Sequence, residues 1–369
     1  MLKRRSVILF CLSLLLAGSG YFINEGTAVL HNQSVEGVVQ KEADEDGTKE
    51  KDFIKWVEFN VTCEAMSQAY QYDLDTYEKE VHLNWVDLLA YLGAKYGGDF
   101  SKYKEKDMNK IAKKLLEGEQ TIEGIAEEME YFAYYREAYG AVLDGMVGEY
   151  EIEYALDVAD DETGEETAGN VKVKTAWKKV YGLKAYHPIA KDFPYSAYDD
   201  FGSSRSYGYK RVHLGHDMMG QVGTPIIAVE SGYVAELGWN QYGGWRVGIN
   251  SFDGKRYYYY AHLRKDRPYA EGLQKGDIVQ AGDVIGYMGR TGYSVEENVN
   301  NIDEYHLHFG LQLIFDESQR DCDNEIWVSG YELEKFLYKH RSEVKRNDKT
   351  KEWTRVYGIK DPVVGEAGQ

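Results

Sequence analysis

From about residue 173 onward, the chain consists of short segments that alternate apolar and polar residues and are separated by glycine turns. In WRVGINSFDGKRYYYYAHL, two alternating runs meet at Asp253 and Gly254. An Asp-Gly pair between alternating runs is a strong signal for a β-hairpin. LQKGDIVQAGDVIGYMG adds further turns at close intervals. Regularly spaced short strands of this kind predict a compact antiparallel sandwich or barrel in this part of the chain.

Residues 53–147 have a different pattern, with apolar residues at helical spacings. One predicted helix, in AMSQAYQYDLDTYEKEVHLNWVDLLAYLGAKYGG, carries Leu88 and Leu92 on its apolar face and stops at the Gly97 turn. DMNKIAKKLLEGE and IEGIAEEMEYFAYYREAYGAVL indicate two more amphipathic helices, and Thr121 is placed to cap the second of them. This part of the chain is therefore predicted to be helical.

The chain is 369 residues long, which suggests two or three domains. Its predicted fold class is an α+β multidomain protein in which a helical middle domain precedes an antiparallel β domain with a closing helix at 331–346. The acidic segment before the β domain is predicted to be a linker, with an exposed strand pair as the alternative. In order, the predicted parts are a membrane segment or signal peptide (1–24), a polar spacer (25–52), a helical domain (53–147), an acidic linker (148–172), a β-rich domain (173–330), and a C-terminal helix with its tail (331–369).

The N-terminus has the pattern of an export signal. Cations at Lys3, Arg4 and Arg5 precede an apolar stretch from Val7 to Ile23, which is at the short end of what can span a membrane. An uncleaved single-pass anchor in the cytoplasmic membrane is the favoured interpretation, and a cleaved signal peptide with a secreted product is the alternative. In both cases the positive flank stays in the cytoplasm and the rest of the chain is predicted to lie outside it.

Charge and cysteine content exclude some classes of function. The chain has 43 Lys+Arg against 62 Asp+Glu, a formal net charge of -19, which argues against a nucleic-acid partner. Cys11 lies in the apolar N-terminal run, which leaves Cys63 and Cys322, and whether these two pair is left open. Because no Cys-x-x-Cys occurs, a sulfur-ligated zinc site is not expected.

Histidines and one aspartate form the pattern of a metal site. In DEYHLHFGLQLIF, His306 and His308 flank a leucine, and a strand directs residues i and i+2 to the same face. In HLGHDMMG, His213 and Asp217 have an even spacing, whereas His216 is odd relative to them and is predicted to point away. Two imidazoles and one carboxylate from His213, Asp217 and His308 make a three-ligand set for one Zn²⁺, which leaves the fourth position for water as in catalytic zinc sites.

Two histidines remain as candidates for catalysis. His262 ends the YYYYAHL strand on the same face as Tyr258 and Tyr260, and His306 is the strand neighbour of His308. Neither is needed to hold zinc. Hydrolysis of a peptide bond needs an activated water and a stabilised oxyanion, and imidazole can accept or donate a proton near neutral pH. His262 and His306 are therefore predicted to be catalytic.

HLGHD, YAHL, GDIVQAGDVIGYMGRTGYS and HLHFGLQL occur in this order, and together they resemble the lysostaphin-type (LytM-like) zinc metalloendopeptidases of bacterial peptidoglycan. The resemblance covers about residues 205–315. It implies a β-sheet groove that takes an extended peptide of small residues from peptidoglycan. It also implies zinc ligands and catalytic histidines at the positions already singled out: His213, Asp217 and His308, and His262 and His306.

The chain departs from the family pattern at two points. YSVEENVNNIDEY, residues 293–305, is longer than usual, and Tyr305 stands where proline is common. The added residues are expected to rebuild one wall of the groove. The motifs do not cover the helical region 53–147, which is a candidate for binding a protein partner.

The sequence therefore predicts a zinc-dependent endopeptidase that hydrolyses peptidoglycan stem or cross-bridge peptides outside the cytoplasmic membrane. The alternative is a non-catalytic cell-wall-binding or hydrolase-activating module that keeps the peptidase fold. All five histidine and aspartate positions of the pattern are present, which favours the enzyme. The lengthened segment favours the alternative if it blocks the groove.

Overall fold

Helices dominate the first part of the described residues and strands the second. The structure is a computed structural model that describes residues 53–156, 174–206, 210–320 and 324–367. Its α-helices are α1 (Cys63–Thr76), α2 (Trp85–Tyr96), α3 (Glu105–Leu116), α4 (Ile122–Glu128), α5 (Phe132–Leu143), α6 (Tyr331–Leu337) and α7 (Pro362–Ala367).

Strands begin directly after α5 and continue to the C-terminal region. They are β1 (Val147–Ala155), β2 (Thr175–Leu183), β3 (Ser196–Ala197), β4 (Ser204–Ser206), β5 (Lys210–Val212), β6 (His216–Met219), β7 (Pro225–Ile227), β8 (Gly232–Asn240), β9 (Gly244–Ser251), β10 (Arg256–Ala261), β11 (Ile278–Val279), β12 (Val284–Tyr287), β13 (His306–Leu313), β14 (Ile326–Val328), β15 (Val344–Arg346), β16 (Trp353–Arg355) and β17 (Ile359–Lys360).

Among the described residues, the main sheet has eight strands, all paired antiparallel. Their order is β11-β8-β9-β10-β13-β6-β3, and β14 lies beside β13. Smaller sheets are formed by β17-β1-β2, β12-β7, β15-β16 and β4-β5. Helices in the N-terminal part and an antiparallel β-rich C-terminal part are thus confirmed.

The hairpin predicted at Asp253 and Gly254 is confirmed. Strands β9 and β10 pair across this turn, and Gly254 has φ 73°, a conformation that glycine adopts without strain. The Asp253 carboxylate accepts hydrogen bonds from the Ser251 hydroxyl at 2.6 Å and from the Lys255 backbone N–H at 3.1 Å. Local turn chemistry therefore sets the register of the two strands.

The first predicted helix is divided into α1 and α2. The Thr76 hydroxyl accepts a hydrogen bond from the backbone N–H of Leu83 at 2.9 Å, and the Asp73 carboxylate accepts one from Trp85 N–H at 2.9 Å. These N–H groups would bond to backbone carbonyls in a continuous helix. Side chains of α1 thus stabilise the turn that separates the helices. The cap predicted at Thr121 is confirmed, since its hydroxyl accepts from Gly124 N–H at 3.0 Å and begins α4.

The acidic segment 148–172 and the closing helix 331–346 differ from their predicted structures. Residues 147–155 form β1, which pairs with β2, while 157–173 lie outside the described residues. The prediction of a helix over 331–346 is wrong beyond Leu337, where α6 ends. There, Arg341 donates to the Phe193 carbonyl at 2.7 Å and Ser342 to the Gly282 carbonyl at 2.7 Å, and these contacts hold the chain out of a helix.

The predicted membrane segment and polar spacer lie outside the described residues, as does Cys322. Within the described part of the chain, every helix is too short or too polar to cross a bilayer. The anchor therefore stays a prediction.

A buried ion pair joins the helical region to the main sheet. Arg256 on β10 is 1% exposed, and its guanidinium donates to Glu230 at 2.7 and 2.9 Å and to the Ala141 carbonyl of α5 at 2.8 Å. The Tyr258 hydroxyl donates to the same Glu230 carboxylate at 2.7 Å. Buried charges of this kind are stable only when each has its partners.

Replacing Arg256 with methionine is expected to lower the free energy of unfolding by about 3–5 kcal/mol, because Glu230 would then be buried without its counter-charge. Urea denaturation followed by circular dichroism measures the change. Arg346→Met, at an exposed position on β15, is the matched control and should unfold like the wild type. An unchanged unfolding midpoint for Arg256→Met would contradict this role of the ion pair.

Candidate metal centre

The pairing of β6 with β13 brings the predicted metal ligands together. Asp217 lies directly opposite His308 in the antiparallel register of these strands. His213 follows the short strand β5, four residues before Asp217 in the chain. His262 comes directly after β10, whose last residue, Ala261, also lies opposite His308. The centre of the sheet therefore carries all of these groups.

Three donor atoms converge on one point. His213 Nε2 lies 2.8 Å from His308 Nδ1 and 3.1 Å from Asp217 Oδ1, and the latter two atoms are 3.2 Å apart. Donors bound to a tetrahedral zinc ion at ~2.0–2.1 Å are about 3.3 Å from one another. The separations and the nitrogen and oxygen chemistry of this set therefore fit a single zinc ion.

Asp200 and Arg205 orient two of these ligands, His213 and Asp217. His213 Nδ1 lies 3.1 Å from the Asp200 carbonyl, to which it donates, so that Nε2 keeps its lone pair for a metal. The Asp200 carboxylate accepts from the Asp217 backbone N–H at 3.2 Å. Arg205 Nη2 donates to Asp217 Oδ2 at 3.2 Å. No sequence signal marked Asp200 or Arg205, because only the fold brings them to the site.

Close packing explains the glycine between the two ligands of HLGHD. A Cβ atom on Gly215 would lie 2.8 Å from His308 Nε2 and 2.6 Å from the Phe309 carbonyl oxygen. The second of these atoms belongs to the backbone of β13 and cannot move aside. The motif thus leaves room for the His308 ring.

The two predicted catalytic histidines stand side by side next to this set. His262 Nδ1 is 2.9 Å from the Thr291 carbonyl, and His306 Nδ1 is 3.0 Å from the Glu304 carbonyl. Each Nδ1–H donates to its carbonyl, so each Nε2 is the acceptor atom. The two ring centroids are 4.7 Å apart, and His306 Nε2 lies 3.8 Å from Asp217 Oδ1.

Burial and neighbouring charges set the protonation of the site. Burial, reinforced by nearby His306 and His308, holds the pKa of His262 well below its usual value, so its ring is neutral at pH 7. Burial also lowers the pKa of His308. For Asp217, burial opposes ionisation, but hydrogen bonds with His213 and His308 outweigh it and lower the pKa of the carboxyl far below its usual range.

His216 lies away from the site, as its odd spacing predicted. Its ring packs edge-on against Phe309 and Tyr331, with centroids 5.7 and 6.1 Å away. Burial lowers its pKa to about 4, so it is a neutral core residue at physiological pH.

A groove of about 940 Å³ contains the site. All five predicted site residues line it, together with residues from β9 and β10. The lengthened segment 293–305 contributes Tyr293 and Ile302 to its lining. Asn298 fixes this segment to the rim: its amide accepts from Trp245 Nε1 at 2.9 Å and donates to Asp266 at 2.7 Å.

The main sheet thus carries, in an open groove, a cluster of two histidines and one aspartate that could hold a metal ion. Residues 211–322 match the sequence profile of Peptidase family M23, and this segment of the chain belongs to that family. The segment contains all five of the predicted site residues.

Individual relatives agree with this assignment. The chain is 36% identical to the L-Ala–D-Glu endopeptidase of Bacillus subtilis over 124 residues, which cover 34% of this chain and 36% of that protein. It is 38% identical to lysostaphin of Staphylococcus simulans over 99 residues, or 27% and 17% of the two chains. The matches thus span about a third or less of these curated relatives.

Among solved structures, a similar one is that of a proposed glycyl-glycine endopeptidase, LytM, from Ruminococcus gnavus. It has 25% sequence identity and a TM-score of 0.48, and the match covers 78% of this chain and 91% of that one.

Proposed function

We propose that this protein is a zinc-dependent endopeptidase that hydrolyses peptide bonds in peptidoglycan stem or cross-bridge peptides. The observation that carries the proposal is the convergence of His213 Nε2, Asp217 Oδ1 and His308 Nδ1 within 2.8–3.2 Å of one another, beside two further histidines in an open groove. The M23 assignment of this segment and the endopeptidase names of its relatives support the reaction class.

His213, Asp217 and His308 would hold one Zn²⁺. A set of three protein ligands is typical of catalytic rather than structural zinc sites, which use four. When bound, zinc supplies Lewis acidity and lowers the pKa of water to about 7.

His262 and His306 would carry the proton transfers. The Nε2 atom of one ring accepts the proton of the attacking water as oxygen bonds to the peptide carbon. That proton then passes to the leaving amine nitrogen as the C–N bond breaks. The second ring, in its imidazolium form with a proton on Nε2, donates a hydrogen bond to the oxyanion that forms between these steps. Both rings are held by backbone carbonyls through Nδ1, which directs Nε2 into the groove.

The proposed substrate and location follow from the groove and the N-terminus. A groove of about 940 Å³ has room for an extended peptide of several small residues. Peptidoglycan lies outside the cytoplasmic membrane, which agrees with the apolar stretch after Lys3, Arg4 and Arg5. We place the protein on the outer side of that membrane as a single-pass protein, or secreted after signal cleavage.

The direct test is digestion of purified cell walls by the detergent-solubilised full chain, with released fragments identified by mass spectrometry. Incubation with a zinc chelator should reduce release to the level of an enzyme-free control, and added Zn²⁺ should restore it, because the nucleophilic water depends on the metal. Fragment masses identify the cleaved bond.

Two outcomes would contradict the proposal. Full activity of a preparation that contains no zinc would exclude a zinc enzyme. Wall binding without release at any zinc concentration would favour the non-catalytic wall-binding or hydrolase-activating module instead.

A further inference from the structure

Arginines line the groove of this strongly acidic chain, whose net charge is -19. Most of them are neutralised by a carboxylate. The ion pairs are Arg205 with Asp200 and Asp217, Arg246 with Glu236, and Arg320 with Glu317. Within the described part of the chain, Arg211 is the groove arginine that makes no ion pair with a carboxylate. Its positive charge is therefore available to a ligand.

Aromatic rings hold Arg211 in place. The guanidinium carbon lies 4.9 Å from the ring centroid of Tyr293 and 5.5 Å from that of Tyr242, and a guanidinium N–H donates to the Tyr293 hydroxyl. The Nε atom is buried and has no hydrogen-bond partner among the described residues. A guanidinium fixed between rings loses little further entropy on binding and still has N–H donors to satisfy.

Arg211 is also close to the proposed chemistry. It lies on β5, two residues before His213, and the ring of Tyr293 links it to His262, since the Tyr293 and His262 centroids are 6.0 Å apart. A group bound by Arg211 would thus be separated from His262 by about one aromatic ring. That distance corresponds to a residue next to the cleaved bond.

We propose that Arg211 binds a carboxylate of the substrate beside the cleaved bond and makes the groove selective for peptides that carry one there. This inference rests on the proposed function. The planar guanidinium pairs with a carboxylate through two parallel N–H···O bonds, which a neutral carboxamide cannot reproduce. The carboxylate belongs either to an acidic side chain or to a free peptide C-terminus.

The test uses three synthetic peptides of one length, built on a peptidoglycan stem peptide with one varied position. The first has Glu at that position and an amidated C-terminus, the second has Gln at the same position, and the third has Gln and ends in a free carboxylate directly after it. Binding is measured by calorimetry on the full chain with the His262→Ala substitution, so that turnover does not disturb the signal. Cleavage of the same peptides is measured on the wild-type chain.

We expect at least one carboxylate peptide to bind about 10- to 100-fold more tightly than its neutral counterpart, the range of a charge-assisted hydrogen bond. The peptide that gains identifies the source of the carboxylate. Arg211→Gln should reduce this preference to about 1, and Arg211→Lys should leave an intermediate preference. Arg346→Gln removes a positive charge outside the groove and should leave the preference unchanged.

Equal binding of all three peptides, or a full preference in Arg211→Gln, would overturn the inference. The comparison of the three peptides on the chain that keeps Arg211 does not depend on how well the Arg211 variants fold. Preferential binding without cleavage by the wild-type chain would support the role of Arg211 and instead refute the proposed peptidase activity.

Discussion

Replacing His308 with alanine is expected to abolish zinc retention and cell-wall hydrolysis together. The substitution removes one of three donor atoms that lie 2.8–3.2 Å apart, and the remaining two leave zinc with too few protein ligands. Zinc content should fall from about one ion per chain to near zero. Asp217→Ala should behave in the same way.

Elemental analysis of the dialysed protein measures the zinc, and loss of turbidity of a cell-wall suspension measures hydrolysis. His82→Ala is a suitable control, because His82 pairs with Asp73 in the helical region, remote in sequence from the M23 segment. That variant should keep both zinc and activity. A folded His308→Ala protein with full zinc content and normal activity would remove the assignment of this ligand.

Replacing His262 should separate zinc binding from turnover. His262 is not one of the three converging donors, and its Nδ1 is already bonded to the Thr291 carbonyl. His262→Ala should therefore retain zinc and lower kcat about 10²- to 10⁴-fold, the usual contribution of a general acid or base.

A second variant at this position guards against a local folding defect. The backbone of His262 has φ 62°, which asparagine tolerates better than alanine. The Asn side chain also keeps a donor for the Thr291 carbonyl while it removes the Nε2 acceptor. His262→Asn should therefore show the same loss of kcat at normal zinc content. Substantial turnover in this variant, or loss of its zinc, would refute a catalytic role for His262.

Sequence patterns were reliable where a feature depends on neighbouring residues. The Asp253-Gly254 turn and the Thr121 cap follow from local backbone preferences, and both are present in the structure. Strand alternation likewise placed His306 and His308 on one face and His216 away from it. It was wrong for His262, whose φ of 62° breaks the alternation and places its ring in the groove with Tyr257 and Tyr259 rather than on the buried face of Tyr258 and Tyr260. Predictions failed where side-chain contacts override helical spacing. Asp73 and Thr76 bind backbone N–H groups 7 to 12 residues further on and separate α1 from α2, and a contact 60 residues away in the chain holds Ser342 out of a helix.

By itself, the sequence determined which residues could bind a metal, since side-chain chemistry and alternation are properties of a short segment. Only the tertiary structure decided that they meet. His213 and His308 are 95 residues apart in the chain, and the register between β6 and β13 brings their nitrogen atoms within 2.8 Å. The same is true of Arg205 and Arg211, whose places in the groove depend on strand pairing. That pairing is fixed by burial of apolar residues across the whole sheet, which no short motif encodes.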